Sequence, residues 1–137
     1  MATAPTPPVI GVFNTSEDTT DLLRLVLEQA GYVVVTAFTN LLRDGRIDLE
    51  TLMRQYRPTV IVYDIAVPYE QNWRLFERIR DSPACKGVRF VLTTTNVAQV
   101  EKVAGSAHRF HEIVGKPYDL DEVVRAVKDA VYERPIA

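Results

Sequence analysis

Polar side chains stand where three apolar, β-branched runs stop. Asp64 follows Thr59-Val60-Ile61-Val62-Tyr63, Thr93 follows Arg89-Phe90-Val91-Leu92, and Lys116 follows His111-Glu112-Ile113-Val114-Gly115. A carboxylate at the mouth of a buried strand needs a partner for its charge or a use for it. Lys116 can be that partner, so Asp64 reads equally as a nucleophile and as half of a plain ion pair. Thr93 heads the run Thr93-Thr94-Thr95, which by residue type alone is ordinary strand. No Ser-His or Cys-His pair with a credible orienting acid stands out, so an independent enzymatic activity finds little support.

The elements that must position these groups follow from periodicity. Five strand-like runs, 9–13, 32–37, 59–63, 89–93 and 112–114, are apolar on consecutive residues, as strands covered on both faces should be. Helical segments fill the gaps. The first carries Leu22, Leu23, Val26, Leu27 and Ala30 on one side and stops at Gly31, a good left-handed cap. Thr15 suits its N-cap, because Thr15-Ser16-Glu17-Asp18 has the Ser/Thr-x-x-acid form. The second starts near Asp48 and is cut off before Pro58. The third uses Trp73, Phe76 and Ile79, and the fourth Val97, Val100 and Ala104. The last opens with Asp119-Leu120-Asp121-Glu122, in the form of a capping box. Residues 40–46 read as a long loop turning at Gly45.

Strand–helix alternation implies an α/β fold: three α/β/α layers, doubly wound, around a five-stranded parallel sheet with right-handed crossovers. The binding crevice of such sheets lies beyond the carboxyl ends of the strands. Asp64, Thr93 and Lys116 are thereby delivered to one rim, along with Asn14-Thr15 from the first strand.

Composition sets the frame. The 137 residues suit one domain over 9–134, with the proline-rich stretch 1–8 as a disordered lead-in. Hydrophobic residues make up 47%, enough for a core without staples. A formal charge of −2, from 16 basic and 18 acidic residues, gives no long-range pull on nucleic acid or anionic membrane. Arg43, Arg46, Arg54 and Arg57 are interleaved with Asp44, Asp48 and Glu50, which makes a solvated face rather than a nucleic-acid stripe. Cys85, alone, forms no internal disulfide and reads as a reduced thiol in a loop. His108 and His111 read as loop histidines. No apolar run approaches the ~20 residues of a membrane span, and no secretory signal is present, so a cytoplasmic protein is expected.

Several stretches, in this order and spacing, resemble the receiver domain of bacterial two-component response regulators. They are Glu17-Asp18-Thr19 through Leu22-Leu23-Arg24-Leu25 to Ala30-Gly31-Tyr32, Arg57-Pro58 through Asp64-Ile65-Ala66-Val67-Pro68, Phe90-Val91-Leu92-Thr93, and Val114-Gly115-Lys116-Pro117-Tyr118-Asp119. The resemblance implies a flavodoxin-like sheet of strand order 2-1-3-4-5. It puts Asp64 on the phospho-accepting aspartate, Thr93 on the hydroxyl residue that bonds the phosphoryl group, and Lys116 on the phosphate-facing lysine. Asn72 takes the place of a glycine after the strand, where Asn tolerates a left-handed backbone.

The resemblance breaks at two places. Asn14 and Thr15 replace the acidic pair that holds magnesium, and Ile113 replaces the aromatic residue that swings inward on activation. A unit charge pair about 4 Å apart is worth roughly 4 kcal/mol at an effective dielectric near 20, before desolvation. Losing both acids therefore forfeits several kcal/mol of attraction for a divalent ion. Asp64 alone remains as a metal ligand, so no cofactor is expected to bind tightly, and Mg2+ only weakly with phosphate. Phosphoryl transfer rests on positioning and charge neutralisation, so the expected chemistry is at most slow self-phosphorylation and dephosphorylation at Asp64.

The expected function is a stand-alone, receiver-like signalling protein that binds a histidine kinase or phosphotransfer protein and a downstream target. The surface implied is the helix of Val97 and Val100, the last strand and the last helix; a homodimer stays open. Trp73, Tyr69 and Tyr118 near the crevice loops read as a partner surface or, more commonly, as packing over the sheet. Two alternatives stand beside this reading. One is a phosphorylation-independent pseudo-receiver adaptor. The other is a small flavodoxin-like domain for a nucleotide or flavin, against which the first turn, Asn14-Thr15-Ser16-Glu17, lacks glycine.

Overall fold

In the computed structural model, residues 7–105, 112–115 and 120–132 are described, with the backbone alone at 112–115. The strands are β1 (Val9–Asn14), β2 (Val33–Phe38), β3 (Val60–Asp64), β4 (Arg89–Thr94) and β5 (Glu112–Gly115). They pair in parallel in the order β2-β1-β3-β4-β5, the expected doubly wound sheet. The helices are α1 (Glu17–Gln29), α2 (Thr39–Arg43), α3 (Leu49–Tyr56), α4 (Tyr69–Arg80), α5 (Val97–Ala104) and α6 (Leu120–Tyr132), with a 3-10 turn at Pro83–Cys85.

Consecutive apolar residues in the strands serve two cores. Ile10, Val12, Val60, Val62 and Val91 face α1 and α6, where Leu23, Leu27, Val123 and Val127 cover them. Phe13, Ile61, Tyr63, Phe90 and Leu92 face the other layer and meet Leu52, Met53, Trp73, Phe76, Ile79 and Val100 of α3, α4 and α5. Gly11 falls on this second face by strand alternation, where the side chains of Ile61 and Phe13 fill the space beside it. A Cβ at Gly11 would sit 3.1 Å from Ile61 Cγ1 and 3.2 Å from Phe13 Cε1.

Local signals explain most helix boundaries, with some corrections. The N-cap of α1 is Ser16, whose hydroxyl accepts from the Thr19 amide; Thr15 is exposed and caps nothing. The cap falls one residue later because Asn14 first turns the chain, its Oδ1 accepting from the Ser16 amide at 2.9 Å. Gly31 follows α1 with φ +99. Leu23 and Leu27 are buried as expected, whereas Leu22 is 44% exposed and Ala30 faces solvent, since the stripe facing the sheet is narrower than the apolar run. Asp48 caps α3 through the Thr51 amide and hydroxyl, and these bonds hold its carboxyl below the ordinary range. Arg57 closes α3 in the left-handed region, φ 49, ahead of Pro58.

The stretch 40–46 is only partly loop. Thr39–Arg43 form α2, because Leu42 can pack against the α3–α5 core; Gly45, φ +73, makes the turn after it. Arg43 pairs with Asp44 and Arg54 with Glu50, all exposed, as a solvated face requires. Cys85 is not a loop thiol: it lies in the 3-10 turn, 3% exposed, and burial pushes its thiol up to about 11. The 1–6 part of the lead-in, His108, His111, Lys116, Tyr118 and Asp119 lie outside the described residues. Among the described residues no helix is long and apolar enough to cross a membrane.

Candidate functional site

The central strands end in polar residues at one rim. The β3–β4 register sets Asp64 opposite Thr93. On the other side of β3, the β1 register ends at Phe13 opposite Tyr63, so Asn14 and Asp64 are the next residues along neighbouring strands. All three are buried: Asp64 is 6% exposed, Asn14 1% and Thr93 0%. Thr93 Oγ1 donates to Asp64 Oδ1 at 2.7 Å. A hydrogen bond to a charged group is worth about 1.5–3 kcal/mol, enough to fix the Thr93 hydroxyl on this side chain.

The hydroxyl contacts continue outward. Thr94 Oγ1 donates to the Ile65 carbonyl at 2.9 Å and accepts from the Asn96 amide at 3.2 Å. Thr95 Oγ1 and the Tyr69 hydroxyl share a bond of 2.9 Å. Residue type alone does not single out the Thr94, Thr95 and Tyr69 hydroxyls as contacts between these two segments. The available signal was three consecutive hydroxyl residues at the end of a strand covered on both faces.

Asn14 and Thr15 stand at the end of β1, beside the strand that carries Asp64, but bring no second carboxylate to it. The Asn14 carboxamide oxygen is engaged by the Ser16 amide, and the Thr15 side chain is exposed. Among the described residues, no group of three or more His, Cys, Asp or Glu side chains is placed to hold a metal ion. This donor set fits a divalent cation poorly.

Asn72 is not in a left-handed turn. It is helical, in the first turns of α4, and its Nδ2 donates to the Ala66 carbonyl at 2.7 Å, closing the β3–α4 loop from within the helix. Ile113 lies in β5 opposite Leu92. Trp73 is packing, 3% exposed, with its ring 5.0 Å from that of Phe76. Tyr69, in contrast, lines a cavity of ≈ 600 Å³ between α4 and α5, with Pro68, Glu70, Gln99, Lys102 and Val103.

Tyr63 precedes Asp64 and points into the core between Phe13 and Phe76. Its hydroxyl is buried and makes no hydrogen bond among the described residues. Burial drives its phenol well above the ordinary range, against a smaller opposing effect of Arg78. An unmet buried hydroxyl costs about 1–3 kcal/mol. Tyr63→Phe is therefore expected to keep or raise stability, by up to about 1–3 kcal/mol, in urea unfolding. A loss above about 1 kcal/mol would mean that the hydroxyl has a partner.

No family model matches this chain. It is 26% identical over 117 residues to the 14.6 kDa protein of the sodA1 3′ region of Leptolyngbya boryana, covering 85% of each. It is 27% identical over 121 residues to the phosphate regulon transcriptional regulatory protein PhoB of Rhizobium meliloti (strain 1021), covering 88% of this chain but only 51% of that regulator. The chain thus spans about half the length of the second relative. Among solved structures, the response regulator receiver protein of Pseudomonas putida superposes with a TM-score of 0.70 at 19% identity, covering 92% of this chain and 99% of that one. Sheet order, helix layers and superposition agree: the chain has the fold of the response regulator receiver domains.

Proposed function

We propose that this protein is a receiver-type signalling module that acts by binding other proteins, with Asp64 as its phospho-acceptor and a weakened magnesium-dependent reaction. The observation that carries this reading is the 2.7 Å bond from Thr93 to Asp64 at the ends of adjacent central strands. A buried carboxylate at a strand terminus, with a hydroxyl already aimed at it, suits a nucleophile that must later offer phosphoryl oxygens a donor. In the reaction, an Asp64 oxygen bonds to phosphorus as the bond from phosphorus to the donor's leaving group breaks. The Thr93 hydroxyl then turns to a phosphoryl oxygen, and the Lys116 ammonium supplies the opposite charge.

The weakness follows from Asn14 and Thr15. Neither brings a negative charge, and Asn14 has spent its oxygen on the Ser16 amide. Binding partners of the class are a histidine kinase or phosphotransfer protein upstream and a target protein downstream, at a cytoplasmic site. A second reading, constitutive partner binding without phosphorylation, is favoured by the same bond, because Thr93 is already turned to Asp64 before any phosphate arrives. The first turn favours both over a nucleotide site, since Asn14-Thr15-Ser16-Glu17 has no glycine for close approach of a phosphate and carries an acid.

Incubation with acetyl phosphate and magnesium, followed by intact mass, tests the proposal. Slow, sub-stoichiometric gain of one phosphoryl group is expected, and none in Asp64→Asn. Fast stoichiometric gain contradicts the weakened site. Gain that persists in Asp64→Asn removes Asp64 as the acceptor.

A further inference from the structure

The row of hydroxyl contacts beside Asp64 does more than satisfy buried groups. Side chains of a strand alternate faces, yet Thr93, Thr94 and Thr95 all commit their hydroxyls to the segment 64–69. They manage this because β4 ends at Thr94 and the chain bends at Thr95. The backbone adds a bond from the Ile65 amide to the Thr93 carbonyl at 2.8 Å. Directly after the row comes Asn96, whose amide donates to Thr94 Oγ1 and whose side chain caps α5 by accepting from the Gln99 amide. The start of α5 is thus tied, through Thr94, to Ile65, the residue after Asp64.

Within this row, Thr93 and Thr94 are fully buried, whereas Thr95 is exposed. The Tyr69–Thr95 bond is the outer link, at the rim, and Tyr69 also forms the wall of the cavity between α4 and α5. A link at the surface can open without exposing the core, so it is the one able to set how firmly α5 is held.

We propose that Tyr69 is a positioning residue: its hydroxyl latches Thr95 and so holds the start of α5 in the arrangement in which Thr93 already faces Asp64. This deepens, and rests on, the reading of Asp64 as phospho-acceptor. In the wild-type protein the latch is closed beforehand, so modification of Asp64 moves α5 little. With the latch removed, α5 becomes responsive to the state of Asp64.

Amide hydrogen exchange of the full chain, followed by NMR, tests this with Tyr69→Phe, Thr95→Val and the double variant. One net hydrogen bond corresponds to roughly two- to tenfold in an opening equilibrium, so each single variant should speed exchange at Gln99 and Val100 by about that factor. The double variant should exchange no faster than the faster single, because both remove one shared bond. Amides of Val12 and Val127, in the opposite layer, should be unchanged. Unaltered exchange at Gln99 and Val100 in either single variant overturns the proposal, as do effects that multiply in the double variant. A further arm adds acetyl phosphate and magnesium: α5 exchange should stay constant in wild type and slow in Tyr69→Phe. If intact mass shows no phosphoryl gain, the reading of Asp64 falls, while the exchange of the unmodified proteins still decides the latch.

Discussion

Replacing Asn14 and Thr15 together by aspartate should make the stability of the chain depend strongly on magnesium. The introduced carboxylates would stand at the end of β1, next to the strand that delivers Asp64, and Asn14 is as deeply buried as its neighbours at 1% exposed. The change at Asn14 is geometrically mild, because a carboxylate oxygen can accept the Ser16 amide as the carboxamide oxygen does. Its electrostatic effect is not mild. Like charges a few ångströms apart repel by several kcal/mol at an effective dielectric near ~20, so the double variant should lose stability in chelator. A divalent ion removes that repulsion and adds ligands of the kind magnesium prefers. At a hundredfold excess over Kd, binding stabilises the native state by about 2.7 kcal/mol, which for a domain of this size raises Tm on the order of 10 °C. Thermal unfolding with and without MgCl2 reads this directly. Wild type should show no such rise; an equal rise in wild type would mean that Asp64 and its neighbours already form an adequate cation site.

Phe76→Ala should be among the most damaging truncations of the described residues. Phe76 is fully buried at the centre of an aromatic cluster, with ring centroids of Trp73, Tyr63 and Phe90 at 5.0, 5.1 and 5.2 Å. The Arg80 guanidinium lies 5.6 Å from its centroid as well. Phe-to-Ala changes in such cores cost about 3–5 kcal/mol, transfer and cavity terms together. The site would suffer too, since Tyr63, which rests on Phe76, is the residue before Asp64. Leu22→Ala, at a residue 44% exposed on α1, should stay within about 0.5 kcal/mol and serves as the contrast. Urea unfolding of the two variants measures both. A shift below about 1 kcal/mol for Phe76→Ala would show that the neighbouring rings close over the gap.

Much of the architecture was legible because its signals are local or periodic. Runs such as Val60-Ile61-Val62 announce a strand covered on both faces, Gly31 and Pro58 stop helices by backbone geometry, and alternation of the two patterns dictates a parallel sheet. The misreadings share a cause. Thr15 against Ser16, Leu22 as core, the stretch 40–46 as loop and Asn72 as a left-handed turn were each decided by a neighbour distant in the chain or by a competing local bond. The Asn14 side chain shifted the cap, the sheet selected which α1 residues to cover, the α3–α5 core recruited Leu42, and the Ala66 carbonyl claimed Asn72.

The residue order by itself determined that Asp64, Thr93 and Asn14 would stand at the carboxyl ends of strands, because strand ends are set by where apolar runs stop. It also determined that no acid pair would join them. Only the tertiary structure decided which hydroxyl turned to Asp64, that Asn14 would spend its oxygen on the helix start, and that Tyr69 would reach Thr95. Those choices depend on strand register and on the bend after β4, and hydrogen bonds between residues 26 or 29 apart in the chain leave no trace in periodicity.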